Sequence, residues 1–403
     1  MSWPISRLGE VISFIRGVTF TPEDQVEPFS EGSTVVMRTK NVQVAGLDQS
    51  DLIAVPSGFV RRKEQALREG DILVSSANSW ELVGKASYVP KLAYEATAGG
   101  FISIVRAKES RVDSRYLYHW VACPATQHKI RHCGRQTTNI SNLDVGRFQD
   151  LEIPLPPLPE QKRIAAILDK VDAIRRKRQQ AIQLADDFLR AVFLDMFGDP
   201  VTNPKGWNVR EVGDLCDVQG GLQVSKKRAG LPVTAPYLRV ANVLRNRLDL
   251  AEIKEIELLE SEYRRVKLIP DDILIVEGHG NANEIGRCAI WKGEIDGVVH
   301  QNHLIRVRVK SKDVNPRFLS DYINSSGGRA QMMRASNSTS GLNTISTGVV
   351  RSTGVIVPPK DLQDKYALIV EKTNSNLLRQ NLAQVLISES VFSLSQKAFS
   401  GQL

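Results

Sequence analysis

Apolar and polar residues alternate in short bursts over most of the chain, and the pattern turns helical only in a few places. Runs such as Asp71-Ile-Leu-Val-Ser75 and Phe101-Ile-Ser-Ile-Val105, ended by Gly, Asn or Ser, read as short β-strands. Residues 114–130 and 316–333 read as helices, each followed by a polar loop. The segment Ile153-Pro-Leu-Pro-Pro-Leu-Pro159 then predicts a stop to regular structure, because proline fixes φ and carries no N–H. From Glu160 to Phe197 there is neither Gly nor Pro. Heptads counted from Ile164 place Ile164, Ile167, Val171, Ile174, Arg178, Ala181, Ala185, Phe188 and Val192 at a and d, and Leu168, Ile182 and Leu189 widen the stripe. This predicts a coiled-coil helix on the order of 50 Å long. A second such stretch runs from Asp361 to about Phe392, with Ile369, Leu377, Ala383, Ile387 and Val391 on one face and Thr373, Asn376 and Gln380 interrupting it. A lone stripe of this kind stays wet, so the two helices are expected to pair antiparallel and hold globular modules at opposite ends.

The order of elements repeats. Displacing the second half by about 202 residues matches Arg38-Thr-Lys-Asn41-Val42 with Arg239-Val-Ala-Asn242-Val243, and Asp71-Ile-Leu-Val74 with Asp272-Ile-Leu-Ile275. Further on, Val112-Asp-Ser-Arg-Tyr-Leu117 matches Val314-Asn-Pro-Arg-Phe-Leu319, and Pro156-Pro157 matches Pro358-Pro359. The matches keep their order along the chain, as a duplicated module requires. The expected architecture is α+β: a mixed α/β module at 1–155, a linker and long helix at 156–199, a second module at 200–357, and a C-terminal helix at 358–403.

Composition narrows the function. The chain has 403 residues, 42% hydrophobic and 24% charged, an ordinary globular balance. Its 53 basic and 45 acidic side chains give a net charge of +8. The surplus is uneven, with 18 basic against 17 acidic groups in residues 1–155 and 22 against 17 in residues 201–357. Local clusters at Arg61-Arg62-Lys63, Lys226-Lys227-Arg228, Arg264-Arg265 and 306–312 suit a polyanion such as a DNA backbone. No signal-like or membrane-spanning apolar run occurs, and four scattered cysteines read as reduced thiols in a cytoplasm. Cys123, His128, His132 and Cys133 lie close in sequence but lack a Cys-x2-Cys pair, and they read as ordinary helix residues. Neither an Asn-Pro-Pro-Tyr type of methyltransferase motif nor a Gly-x4-Gly-Lys-Ser/Thr phosphate loop is present.

The segment Pro156-Pro-Leu-Pro-Glu-Gln-Lys-Arg-Ile-Ala-Ala-Ile-Leu168, with its altered copy Pro358-Pro-Lys-Asp-Leu-Gln363, resembles the conserved region of type I restriction–modification specificity subunits. Gly70-Asp-Ile-Leu-Val-Ser75, Thr138-Asn-Ile-Ser141 and Lys397-Ala-Phe-Ser-Gly-Gln402 fit the same family. The resemblance implies two target-recognition domains, each reading one half of a split, asymmetric site in double-stranded DNA, with the helices as spacer. It implies docking of two modification subunits, which bring S-adenosylmethionine and adenine-N6 methylation, and of restriction subunits that use ATP and Mg2+. No cofactor, metal or catalytic residue is expected in this chain. The competing expectations are a self-sufficient methyltransferase or nuclease with diverged motifs, and a coiled-coil scaffold without DNA affinity.

Asn and Gln suit adenine edges and Arg suits guanine in the major groove. On that basis the expected DNA contacts of the first module are Asn78, Ser79, Arg135, Gln136, Thr137 and Asn139, with Arg61, Arg62 and Lys63 on the backbone. Those of the second are His279, Asn281, Asn283, Gln301, Asn337, Thr339 and Asn343, with Lys226, Lys227 and Arg228 on the backbone. Gln161, Arg163, Asp169, Lys170 and Arg176 are expected on an exposed helix face that docks partner subunits.

Overall fold

The computed structural model of the chain describes residues 3–44, 46–136, 140–335, 337–339, 342–377 and 399. It divides into two compact units, Met1–Ala181 with Asn381–Leu403, and Ile182–Gln380. Among the described residues no helix is long and apolar enough to cross a membrane.

Both units are built alike. In the first, an antiparallel four-stranded sheet runs in the order Ile12–Arg16, Ile102–Ala107, Ile72–Ser75, Ala86–Tyr88. The second repeats it as Cys216–Gly220, Leu304–Val309, Ile273–Val276, Cys288–Ile290. The strands Ile72–Ser75 and Ile273–Val276 are buried at every residue, because both faces of the sheet are covered. A three-stranded mixed sheet lies beside each four-stranded one in sequence order: Ala96–Ala98, Ser33–Met37, Ile53–Pro56 in the first unit, and Lys254–Leu258, Val233–Leu238, Val299–His300 in the second.

The residues that repeat most clearly turn out to be fasteners. Asp71 and Asp272, both buried, each take two hydrogen bonds from one arginine, Arg106 at 2.7 and 2.7 Å and Arg308 at 2.6 and 2.7 Å. Asn41 accepts from the Arg38 N–H and donates to the Asp48 and Asp51 carbonyls; Asn242 does the same with Arg239, Asp249 and Glu252. Half of the basic run at 306–312 is therefore internal, since Arg306 also pairs with Asp217 at 2.6 Å, while Lys310 and Lys312 are exposed.

Helical segments differ from expectation in three ways. The stretch after residue 113 is two helices, Ser114–Ala122 and Pro124–His132, because Pro124 cannot donate to a preceding turn and instead opens a new helix at its first position. Its copy breaks likewise into Pro316–Asn324 and Ser326–Arg334, with Ser325 capping the second. The proline-rich segment is not structureless: Glu152–Pro154 pairs with Ile5–Arg7, and the long helix, Leu158–Phe197, already includes Pro159 in its first turn. The second long helix is helical over residues 360–377; its expected continuation, and the pairing that depends on it, lie outside the described residues.

Phenylalanine rings complete both cores. Phe193 and Phe197 pack in the second unit, where the Phe197 ring sits 4.7 Å from Phe318 and 5.4 Å from Tyr366. In the first unit the equivalent Phe399 lies 5.5 Å from Tyr116, beside Ile164 and Leu168.

One buried layer is not shared. Where the first unit pairs Ile15 with Ile104 beside Ala98, all buried, the second pairs Gln219 with Arg306 beside the fully buried His300. Gln219 Oε1 and Arg306 Nε are buried without a hydrogen-bond partner among the described residues. Burial first, and Arg306 after it, pull the His300 ring down to about 4, although its Nδ1 shares a 3.1 Å hydrogen bond with the Val266 carbonyl. The unfolded ring titrates near 6.5, so this stabilisation is present above that pH and is lost as pH falls toward 4. Between pH 7 and 4.5 the wild type should therefore lose about 2–3 kcal/mol more than His300→Gln in chemical unfolding. Equal losses would mean the ring is not held neutral in the core.

Candidate nucleic-acid interface

The sheets leave one small ribbon per unit on which most of the polar candidates meet. In the first unit Gly134–Gln136 pairs with Ser141–Leu143, which also pairs with Ala77–Asn78. A Cβ at Gly134 would stand 2.3 Å from Ser141 Oγ and 3.0 Å from the Arg131 carbonyl, so glycine there lets the strand lie against its neighbour without displacing the serine. In the second unit Asn337–Thr339 pairs with Leu342–Thr344, which also pairs with Gly278–His279. Each ribbon thus joins a loop near the middle of its module to one near its end. Asn78, Arg135 and Gln136 share the first ribbon; His279, Asn337, Thr339 and Asn343 share the second, with His279 directly opposite Asn343. Thr137 and Asn139 lie outside the described residues.

Next to each ribbon runs a stapled loop. Asn78 accepts from the Ser79 N–H at 2.9 Å and donates to Ser75 Oγ at 3.1 Å, so its amide shapes the loop as well as edging the ribbon. His279 Nδ1 accepts from the Asn281 N–H, and Asn281 Oδ1 accepts from the Asn283 N–H, both at 3.0 Å. With Nδ1 an acceptor, a neutral His279 ring carries its proton on Nε2 and can donate there. Asn281 and Asn283 are exposed. Arg135 is 77% exposed and leans on Asp144 at 2.6 Å.

The sequence did not point to the rings beside the first loop. Trp80 follows Ser79 directly, and its ring meets His132 edge-on at 5.4 Å, with His128 a further 4.4 Å on. His128 and His132 are exposed. Among the described residues no group of His, Cys, Asp or Glu is arranged to hold a metal ion.

Other candidates sit away from the ribbons. Arg61, Arg62 and Lys63 are exposed on the turns between Ile53–Pro56 and Ile72–Ser75, with Arg62 3.4 Å from Glu64. Lys226 and Lys227 are exposed, but Arg228 gives both terminal nitrogens to Glu262, at 2.9 and 3.0 Å, and holds that carboxyl at about 2. Its charge is spent inside the protein. Gln301 lies in the sheet region, where its backbone bridges to Leu222 and donates to the Leu238 carbonyl.

The helix candidates split as well. Gln161 is buried, contrary to the expectation of a docking face. Its Oε1 accepts from the Asp113 N–H at 2.8 Å, and its Nε2 donates to the Pro156 and Arg111 carbonyls at 2.8 and 3.3 Å. Gln363 repeats this with Asn315, Pro358 and Asp313. A glutamine with three backbone partners cannot also meet another protein. Asp169 is likewise committed, to Arg115 and to His119 at 2.8 Å. Burial would raise its carboxyl, but the His119 and Arg115 hydrogen bonds outweigh that and hold it at about 2. Arg163 pairs with Glu160 one turn earlier, while Lys170 and Arg176 are exposed. Ile174 and Phe188, both expected in the apolar seam, are 42% and 51% exposed, and Leu184 is 68% exposed.

A family model described as the type I restriction modification DNA specificity domain matches the chain twice, over residues 2–184 and 204–386. The specificity subunit of the type I restriction enzyme EcoKI from Escherichia coli K12 is 28% identical, covering all of this chain and 89% of that protein. That of StySPI from Salmonella potsdam is 27% identical over the same shares. Among solved structures, the type I restriction–modification S subunit from M. genitalium shares the fold with a TM-score of 0.59 at 15% identity, covering 99% of this chain and 96% of that one.

The buried glutamine distinguishes a fastener from a docking residue. Gln161→Leu strands the Asp113 N–H and the Pro156 carbonyl in the protein interior, and should lower stability by about 2–4 kcal/mol in chemical unfolding. Lys170→Ala should change it by less than about 0.5 kcal/mol. A Gln161→Leu chain of unaltered stability would restore the residue to a surface role.

Proposed function

The chain belongs to the type I restriction–modification DNA specificity family, and we propose that each of its two modules reads one half of a split, asymmetric site in double-stranded DNA. It is a specificity subunit, a DNA-recognition component that leaves catalysis to other chains. The observation that carries the two-half reading is the duplicated ribbon. Each module places amide, hydroxyl or imidazole residues from two distant segments side by side, the residue types that discriminate base edges. The two ribbons differ in sequence, Asn78 standing where the second has His279, so two different half-sites follow. Exposed Lys226 and Lys227, and Arg61 to Lys63, would meet phosphates, which fix position without reading sequence.

The chemistry then falls to partners. Two modification subunits would bring S-adenosylmethionine and methylate adenine N6, and restriction subunits would supply cleavage driven by ATP with Mg2+; this chain binds none of these. The docking face we favour lies on the exposed side of the long helix, where Leu184 and Phe188 are wet one turn apart. Burying two such side chains is worth roughly 1.5–3 kcal/mol each.

Mapping methylated adenines in cells that express the chain with its modification partner tests this reading. One bipartite motif should appear and vanish when the chain is deleted. A single contiguous motif, or methyl transfer by the purified chain alone, would contradict it. The long helix should also act as a spacer. Four residues inserted after Ala181 add about 6 Å of helix, which should widen the unread gap by one or two base pairs at ~3.4 Å each. The half-sites should stay as they were, and a changed half-site with an unchanged gap would refute the spacer role.

A further inference from the structure

Behind the loop that carries Asn281 and Asn283, the second module gathers three arginines against one acid. Arg329 and Arg245 both donate to the Asn283 carbonyl, at 2.6 and 3.3 Å. Arg287 is nearly buried and gives one nitrogen to Glu284 at 2.6 Å and others to the Val243 and Val240 carbonyls. Arg245 Nη1 and Arg329 Nε are buried with no hydrogen-bond partner among the described residues. A single carbonyl oxygen therefore faces two guanidinium groups, and among the described residues no carboxylate hydrogen-bonds either of them. Burial, and then the charge of Arg329, hold the Arg245 guanidinium below its usual range. The first module has nothing like it among the described residues: the equivalent positions are Val44, Lys85 and Gln127, where Lys85 bonds Gln43 at 3.2 Å and Gln127 donates to the Gly84 carbonyl.

We propose that Arg245 and Arg329 form a phosphate clamp under the second recognition loop, so that the second module grips the DNA backbone at a point where the first does not. Resting on the DNA-reading role above, this names the residues that make the two halves unequal. Two like charges converging on one neutral oxygen are an unfavourable arrangement that a phosphate placed at the loop's edge would relieve, since a phosphate offers each fork an anionic acceptor. The loop is held to the same arginines, so gripping the backbone would also fix where Asn281 and Asn283 present their side chains.

The test is the salt dependence of affinity for a duplex of scrambled sequence, measured on the full chain assembled with its modification partner. Each phosphate neutralised contributes about 0.9 to the slope of log K against log salt. Arg245→Gln with Arg329→Gln should shallow the slope by about 0.9, for the one phosphate held between them, while Arg245→Lys with Arg329→Lys should keep it. An unchanged slope in the glutamine variant overturns the clamp. So does an equal loss of slope in the lysine variant, which would make the arginines loop struts rather than phosphate ligands. If the unaltered assembly shows no salt-dependent affinity at all, the DNA-reading role itself fails, and the clamp with it.

Discussion

Where each module passes into its long helix, a buried glutamine amide holds three stretches of backbone at once. Gln161 and Gln363 each accept one backbone N–H from the residue that caps a helix of the preceding module, Asp113 before Ser114–Ala122 or Asn315 before Pro316–Asn324, and donate to the proline carbonyl that precedes their own helix. The geometry fixes both the direction in which the helix leaves and the residues its first turns bury. In the first unit those are Ile164, Ala165 and Leu168; in the second, Tyr366 and Val370. The proposed spacer and docking roles of the helix require that its root does not swivel, and a buried amide with all its partners satisfied costs too much to release.

What the duplication preserved is this framework rather than the reading surface. The Asp–Arg pairs, the Asn-stapled turns and the glutamine staples are matched atom for atom between copies. Divergence sits in two places. One is the loop-and-ribbon edge, where a ring cluster of Trp80, His132 and His128 flanks the first loop and arginines back the second. The other is the buried layer, apolar around Ile15 and Ile104 but polar around Gln219, Arg306 and His300. A conserved frame with a variable edge is what a recognition module needs if it is to change specificity without refolding.

The repeat, the α+β character and the long helix could be read from periodicity and spacing, because they rest on patterns many residues long. The polar candidates around Asn78 and His279 could be read from composition; the ribbons hold these two, while Asn281 and Asn283 stand on the adjoining loop. Gln161 could not be placed, since a polar residue on a helix looks the same whether it faces water or three backbone groups. Arg228 misled for a similar reason: its partner Glu262 is 34 residues away, and a cluster of basic letters does not disclose which of them is already paired. The arginines behind the second loop come from three separate segments, and only the fold brings Arg245 and Arg329 to one carbonyl. Aligning the copies would have flagged them, as Val44 and Gln127 replaced by arginine.

The central claim is that two ribbons, one in each module, touch the bases while the repeated framework stays clear of them. Hydrogen–deuterium exchange of the assembled specificity and modification subunits, with and without DNA carrying the mapped site, addresses this directly. DNA should slow exchange in peptides covering residues 77–84 and 134–143 and in those covering 278–287 and 337–344, with little change in the strands Ile102–Ala107 and Leu304–Val309. Protection confined to one module, or centred on the turns at Arg61–Lys63 and Lys226–Lys227 with both ribbons unaffected, would contradict the account.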